Sequence, residues 1–384
     1  MITRVSIDGY KCLKDCDLAV GNMNVLVGSN ASGKSSVLQL LLLLRQSANN
    51  QGSIETLHLS GQLFEAGIAQ DILHPQAEHR LRIRLEAEGD TFEYSFVHNR
   101  DSEEQSQQRQ LVIERPVSIP PALNNRQTGF AYLNAERLGP RVTYALPPDE
   151  MHLGGLVGKY GEYTAAVLAR ASLGTFLDEW DHLLTGLADA PKQLDNYDLT
   201  EELGATNGRF DLVCNSMLGW IIPGAQFRAE EYDQNDLASL RFIRDRGKTN
   251  TEVRATHIGF GLTYTLPIIA AALGLKPHGL LMVENPEAHL HPFSQSRMGV
   301  FLAMMAATGR QIIVETHSDH VINGIRLAVR YNLIPAEQVY INSFHLPKGS
   351  ITSNVTQIRP RSNGRLDQWP EGFFDQIESD LSKL

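Results

Sequence analysis

A short apolar run, Met23-Asn24-Val25-Leu26-Val27, meets the loop Gly28-Ser29-Asn30-Ala31-Ser32-Gly33-Lys34-Ser35, and a strongly apolar stretch follows to about Arg45. The first run is short, β-branched and apolar, the pattern of a strand buried on both faces. The last reads as a helix from Ser35 to about Arg45. Between them the loop fits G-x-x-x-x-G-K-[ST] without deviation. Its glycines permit a tight turn whose backbone N–H groups wrap phosphates, and the helix start adds its positive dipole end. Lys34 is placed to reach β- and γ-phosphates, and Ser35 to offer a hydroxyl to magnesium. This strand, loop and helix predict an α/β core that binds ATP and Mg2+ through Gly28, Ser29, Asn30, Ala31, Ser32, Gly33, Lys34, Ser35 and Ser36.

A second segment supplies what the first lacks. Gly279-Leu280-Leu281-Met282-Val283-Glu284 is an apolar strand ending in an acid. A carboxylate there is suited to hold the magnesium with the Ser35 hydroxyl, directly or through water. Asn285-Pro286-Glu287-Ala288-His289-Leu290-His291-Pro292 follows, and Gln311-Ile312-Ile313-Val314-Glu315-Thr316-His317-Ser318 gives another buried strand ending in a histidine. His289, His291, His317 and His320 are spaced by two and three residues within each pair, not by the four of a helical zinc motif.

The rest of the chain fills in around these segments. Ile2, Val5 and Ile7 open a strand. Leu81, Ile83 and Leu85 alternate with Arg80, Arg82 and Arg84, Gly89-Asp90 turns, and Phe92, Tyr94 and Phe96 alternate back as an antiparallel hairpin. Ser102 to Gln110 is polar and reads as a loop. From Tyr163 to Leu218 apolar residues such as Leu168, Phe176, Trp180, Leu183 and Leu184 recur at helical steps, and strand-like pieces follow at Phe227 and Leu240 to Phe242. From Thr256 to Ile341 helix and strand alternate. The expectation is a mixed α/β core, flanked by helices and interrupted by antiparallel hairpins and a helical insert. Its segments divide as 1–160, 161–250, 251–345 and 346–384.

Composition removes several function classes. A net charge of -10 is the wrong sign for a protein that grips nucleic acid over its whole surface, so such contact would need a local patch. Three cysteines, Cys12, Cys16 and Cys214, are too few for a disulfide framework and fit no common zinc module. No basic-then-apolar leader opens the chain, and Leu38 to Leu44 is too short to span a bilayer. The expectation is a cytoplasmic protein without a membrane partner.

The order of P-loop, Glu284-x-Pro286-Glu287-Ala288-His289-Leu290-His291-Pro292 and strand-Thr316-His317-Ser318 resembles the ABC-type ATPases of the SMC, RecF and OLD kind. Ile7-Asp8-Gly9-Tyr10-Lys11 is similar to that group's N-terminal strand and turn. Tyr132-Leu133-Asn134-Ala135-Glu136-Arg137-Leu138-Gly139-Pro140-Arg141, Gly158 to Thr164 and Trp369 to Gln376 resemble one prokaryotic OLD-like branch, whose members carry a C-terminal segment of uncharacterised role. The resemblance implies an ABC-type P-loop NTPase core. It implies a signature turn at Gly259, Phe260 and Gly261, which in the family meets ATP held by a second subunit. It puts the switch histidine at His317 and the Q-loop glutamine, a metal ligand, at Gln70. It also puts Asn285 where many relatives have the catalytic glutamate. An amide orients water but accepts no proton as a carboxylate does, so Asn285 and Glu287 stand as alternatives for managing the attacking water.

Two functions follow from the resemblance. One is an ATP-dependent switch that forms a head-to-tail homodimer and controls a separate effector, such as a nuclease, in bacterial anti-phage defence. Asp319 stands after His317 without the further acids a two-metal nuclease needs, so cutting is expected of a partner. The other is a RecF-like ATP-gated DNA clamp.

Overall fold

The computed structural model describes residues 1–77, 80–97, 109–124, 129–147, 155–175, 177, 180–195, 199–232, 236–245 and 250–369. The chain divides into two units, one formed by Met1–Asn125, Val339–Arg359 and Leu366–Leu384, the other by Arg126–Gln338 and Pro360–Arg365. The polar stretch from Ser102 lies outside the described residues as far as Gln108, as do Phe176 and the tail from Pro370.

The first unit opens with β1 (Ile2–Asp8), β2 (Cys16–Ala19), β3 (Met23–Gly28), α1 (Lys34–Ser47), β4 (Ser53–His58), α2 (Ala69–Ile72), β5 (Arg80–Ala87), β6 (Asp90–Val97), β7 (Gln110–Ser118) and α3 (Pro121–Asn124). Six of these strands form an antiparallel sheet in the order β2-β1-β5-β6-β7-β4. Ile2 and Val5, three apart, are both buried because the pairing of β1 with β5 shifts register between Ile2 and Arg4. The expected hairpin joins β5 to β6 through Glu88 and Gly89, both at positive φ as a tight two-residue turn requires. Leu81, Ile83 and Leu85 point into the core, and Arg80, Arg82 and Arg84 point out. These arginines face carboxylates: Arg82 meets Asp8, Arg84 meets Glu86 and Glu93, and Arg80 meets Glu114. The stripe is therefore charge-balanced. Helix α1 is apolar around its circumference, and Leu38 and Leu40 to Leu44 are all buried, as an internal helix must be.

The second unit contains β8 (Phe130–Leu133), β9 (Tyr144–Ala145), α4 (Thr164–Ala171), α5 (Trp180–Asp195), α6 (Thr200–Ala205), α7 (Phe210–Ile221), β10 (Gln226–Tyr232), β11 (Leu237–Asp245) and β12 (Asn250–Arg254). It continues with α8 (Phe260–Gly274), β13 (Leu280–Glu284), α9 (Pro292–Ala307), β14 (Gln311–Glu315) and α10 (Asp319–Arg330). β13 runs parallel to both β14 and β8 and lies between them, which is why Leu280 to Val283 is uninterruptedly apolar. β9 to β12 make a separate antiparallel sheet.

The chain then returns to the first unit with β15 (Val339–His345) and β16 (Asn354–Ile358). β15 pairs in parallel with β3, from Val339 opposite Met23 to Phe344 opposite Gly28, and β16 pairs antiparallel to β15. Among the described residues no helix is long and apolar enough to cross a membrane.

Candidate functional site

In the first unit, the loop between β3 and α1 has the geometry its sequence demands. Gly28, Ala31 and Gly33 hold φ of 136°, 60° and 99°. A Cβ on Gly28 would stand 2.0 Å from the Phe344 carbonyl of β15, so only glycine fits where the loop leaves the sheet. Gly33 caps α1 without a side chain, and no acid occupies the first turn. A helix start without a side-chain cap or a first-turn acid presents the positive end of its dipole, which suits an anion. Lys34 is buried, and its ammonium donates to the carbonyls of Gly28 at 3.0 Å and Ser29 at 2.7 Å, lying across the mouth of the loop. Ser32 donates to Ser29 O at 2.7 Å, and Ser353 donates to Ser32 O at 2.6 Å, bracing the loop from the far end of the sequence.

The turn after β1 packs on this loop. A Cβ on Gly33 would meet Cys12 Sγ at 2.8 Å and Leu13 Cδ2 at 2.9 Å. Lys11 reaches Gln39 of α1 at 2.7 Å, and burial pulls its ammonium below the usual range. The same turn is tied to the segment of Gln70, since Lys11 N–H donates to Ile72 O at 2.7 Å. Gln70 itself is exposed on the four-residue α2. Cys16 is a buried core residue, as its place in β2 suggests.

In the second unit, Glu284 closes β13 opposite Glu315 of β14. Tyr132 donates its hydroxyl to Glu284 Oε1 at 2.7 Å and accepts from Asn134 Nδ2 at 3.0 Å. Burial, with Glu284 beside it, pushes the Tyr132 phenol far above its usual range, so it stays a donor. Arg137, only 2% exposed, donates to the carbonyls of Glu284 at 2.7 Å, Asn285 at 2.6 Å and Asn134 at 3.1 Å. Burial lowers its guanidinium to about 10, opposed by Glu287, Tyr264 and Glu284, so it remains a cation at neutral pH.

Asn285 sits at φ 44°, with its N–H on Glu315 O at 2.8 Å. Glu287 accepts from the Thr316 hydroxyl at 2.8 Å and from the His317 N–H at 2.9 Å, so the acidic loop and the loop of His317 are joined. The His317 side chain is exposed. Ser318 then caps α10 by accepting from His320 and Val321.

The expected signature turn opens α8. Gly259 is its cap, again without a side-chain bond or a first-turn acid, and Phe260 is half exposed. Gly261 lies against the acidic loop, where a Cβ would meet His289 O at 2.8 Å. The His289 ring stacks near Phe260 and Tyr264, with centroids 5.0 Å and 4.8 Å away, and His291 caps α9. These histidines are engaged in packing and capping. Among the described residues no group of three or more His, Cys, Asp and Glu side chains is arranged to hold a metal ion.

The structure places Gly28 to Ser36 and Gln70 in the first unit. Glu284, Asn285, Glu287, His317 and Gly259 to Gly261 lie in the second, where loop and turn adjoin. A hydroxyl at Ser35 and a carboxylate at Glu284 are hard oxygen donors of the kind magnesium takes, and the uncapped start of α1 suits phosphate. Sequence reasoning gave no role to Tyr132, Asn134 or Arg137. Their run was visible, but nothing local shows what a Tyr-x-Asn-x-x-Arg segment will grip.

Three family models match parts of the chain. Residues 1–112 match the family "AAA ATPase domain", and residues 166–323 match "AAA domain, putative AbiEii toxin, Type IV TA system". Residues 334–384 match "Protein of unknown function (DUF3696)". No curated protein matches the sequence. The fold is similar to that of an Smc head domain with an extended coiled coil, bound to the C-terminal domain of ScpA derived from Pyrococcus furiosus. Identity there is 12% and the TM-score 0.50, over 100% of this chain and 98% of that one. An SmcHead bound to the C-winged helix domain of ScpA is 11% identical, with TM-score 0.48 over 93% and 98% of the two chains. The SMC head domain from Thermotoga maritima is 11% identical, with TM-score 0.43 over 92% and 98%.

Proposed function

We propose that this chain, an ABC-type ATPase of the SMC, RecF and OLD class, is a dimerising switch that hydrolyses Mg-ATP and passes its state to a separate effector. The observation that carries this reading is the loop from Gly28 to Ser36. Its motif, its left-handed glycines and the helix start left without a side-chain cap agree on one ligand chemistry. In this reading Gly28 to Ser36 hold the phosphates, Lys34 neutralises the β and γ groups, and Ser35 and Glu284 hold magnesium, with Gln70 as a further ligand.

Asn285 orients the attacking water, and Glu287 holds the loop that carries His317. Those roles are supported by the hydrogen bonds Glu287 already accepts from Thr316 and His317. Gly259, Phe260 and Gly261 face the γ-phosphate bound by the partner copy, which makes the switch a head-to-tail homodimer. The effector is a separate protein, a nuclease in a bacterial anti-phage system being the leading kind.

Calorimetry on Lys34→Ala tests the core of the proposal. The variant should keep its fold and lose Mg-ATP binding, since its ammonium is the cation at the mouth of the loop. Undiminished affinity would falsify the assignment.

A further inference from the structure

Arg137 is a buried cation that no part of the ATPase reading uses. Desolvating a guanidinium is expensive unless specific partners compensate it. Here Nη1 and Nη2 donate to backbone, the carbonyls of Glu284, Asn285 and Asn134, while the buried Nε has no hydrogen-bond partner among the described residues. Two of those carbonyls belong to the strand end and the following residue, where Asn285 holds a left-handed φ of 44°, a turn conformation that asparagine adopts more readily than most residues. The backbone there is held on both sides. Asn285 N–H is fixed on Glu315 O, and its carbonyl is fixed by Arg137.

The other face of the guanidinium lies 5.2 Å from the ring of Tyr264, on the helix that opens at Gly259. Tyr264 in turn meets His289, whose carbonyl stands against Gly261. We infer that Arg137 is a positioning residue: its fork fixes the backbone of Glu284 and Asn285 and ties that loop to the turn at Gly259, so both move as one body. The inference rests on the ATPase reading for its consequence. There the loop serves one nucleotide and the turn serves the nucleotide of the partner copy, so a stiff link between them couples the two sites of a dimer. A planar fork spans two carbonyls and stacks on a ring, whereas an ammonium does neither in the same geometry.

The test compares wild type, Arg137→Lys and Tyr264→Leu by hydrogen exchange without nucleotide and by steady-state hydrolysis. Arg137→Lys should speed exchange in residues 284–290 and 258–264 by about ten-fold or more, with residues 28–47 unchanged, since loosened segments open locally. Its kcat should fall about 100-fold, because a small misplacement of a reacting loop has that effect. KM for ATP should stay within about three-fold, the split expected when ground-state binding is untouched. If Arg137→Lys melts without cooperativity, Tyr264→Leu decides, because it leaves the three hydrogen bonds in place and should raise exchange in both segments. Unchanged exchange in 284–290 in a folded Arg137→Lys, or kcat equal to wild type, overturns the inference. A wild type that hydrolyses no ATP sinks the ATPase reading instead, and the exchange data still decide the clamp.

Discussion

At the scale of single residues, the division of labour between Asn285 and Glu287 is the sharpest question. Both carboxylate oxygens of Glu287 are engaged, one by the Thr316 hydroxyl and one by the His317 N–H. A glutamine there keeps one acceptor and presents an N–H₂ where a second acceptor is needed. Glu287→Gln should therefore lower stability by about 1–3 kcal/mol, the usual loss when a charged acceptor is removed from its donors. It should still retain most of its turnover. Asn285→Ala should lose only about 1 kcal/mol, because alanine tolerates the left-handed φ of 44° less well than asparagine. It should nonetheless hydrolyse ATP about 100- to 1,000-fold more slowly, as when one orienting group is removed. Paired melting curves and turnover measurements check this. The reverse pattern, with Glu287→Gln stable but inactive, would hand the proton to Glu287.

At the scale of elements, the phosphate loop depends on segments far from it in sequence. β15 lies so close to Gly28 that the loop has no room for a side chain. The segment after it is held by His74, whose Nδ1 accepts from Gln76 N–H at 3.1 Å while Nε2 meets Thr352 Oγ1 at 3.0 Å. That arrangement needs a neutral ring. Burial lowers the affinity of His74 for a second proton, Lys14 adds to the effect, and the Ile351 backbone and Asp8 oppose it. The folded protein thus binds this proton less tightly than the unfolded chain. Its stabilisation is complete above the unfolded value of about 6.5 and is lost as pH falls below it towards the depressed folded value. The gap in melting temperature between wild type and His74→Gln should accordingly narrow as pH falls from about 7.5 to about 5, the window in which an ordinary histidine titrates. A gap that stays constant over this range would mean that His74 is not titrating.

At the scale of the whole molecule, the proposed dimer makes ATP a cross-link between copies. A ligand that binds the associated form better favours association by linkage, so Mg-ATP should shift the sedimenting species towards dimer and ADP should do so less. Gly259 has open space where a Cβ would be, so Gly259→Asp should fold. Its carboxylate would face the anion the turn is meant to receive. The variant should bind ATP but neither dimerise with it nor hydrolyse it. Sedimentation with a slowly hydrolysed analogue gives the first readout. A wild type that remains monomeric in Mg-ATP while hydrolysing it at full rate would rule out the sandwich.

Contiguous residues encode the local pieces of this chain. The β3 run, the loop through Lys34 and the apolar α1 are contiguous, and so are β5, its two-residue turn and β6. Backbone preference and hydrophobic period are enough to specify such pieces. The acidic strand was legible for the same reason, whereas the role of the Gly259 turn came only from the resemblance to a family of ATPases. Which residues meet across long separations is set by folding alone. Arg137 and the Glu284 carbonyl are 147 residues apart, and Ser353 and Ser32 are 321 apart. Neither pair leaves a periodic trace, because a buried hydrogen bond asks only that a donor and an acceptor coincide in space. The same holds for Glu287, which reads from sequence as a free acid beside a phosphate site. The folded chain instead gives both of its oxygens to the loop of His317, 30 residues on.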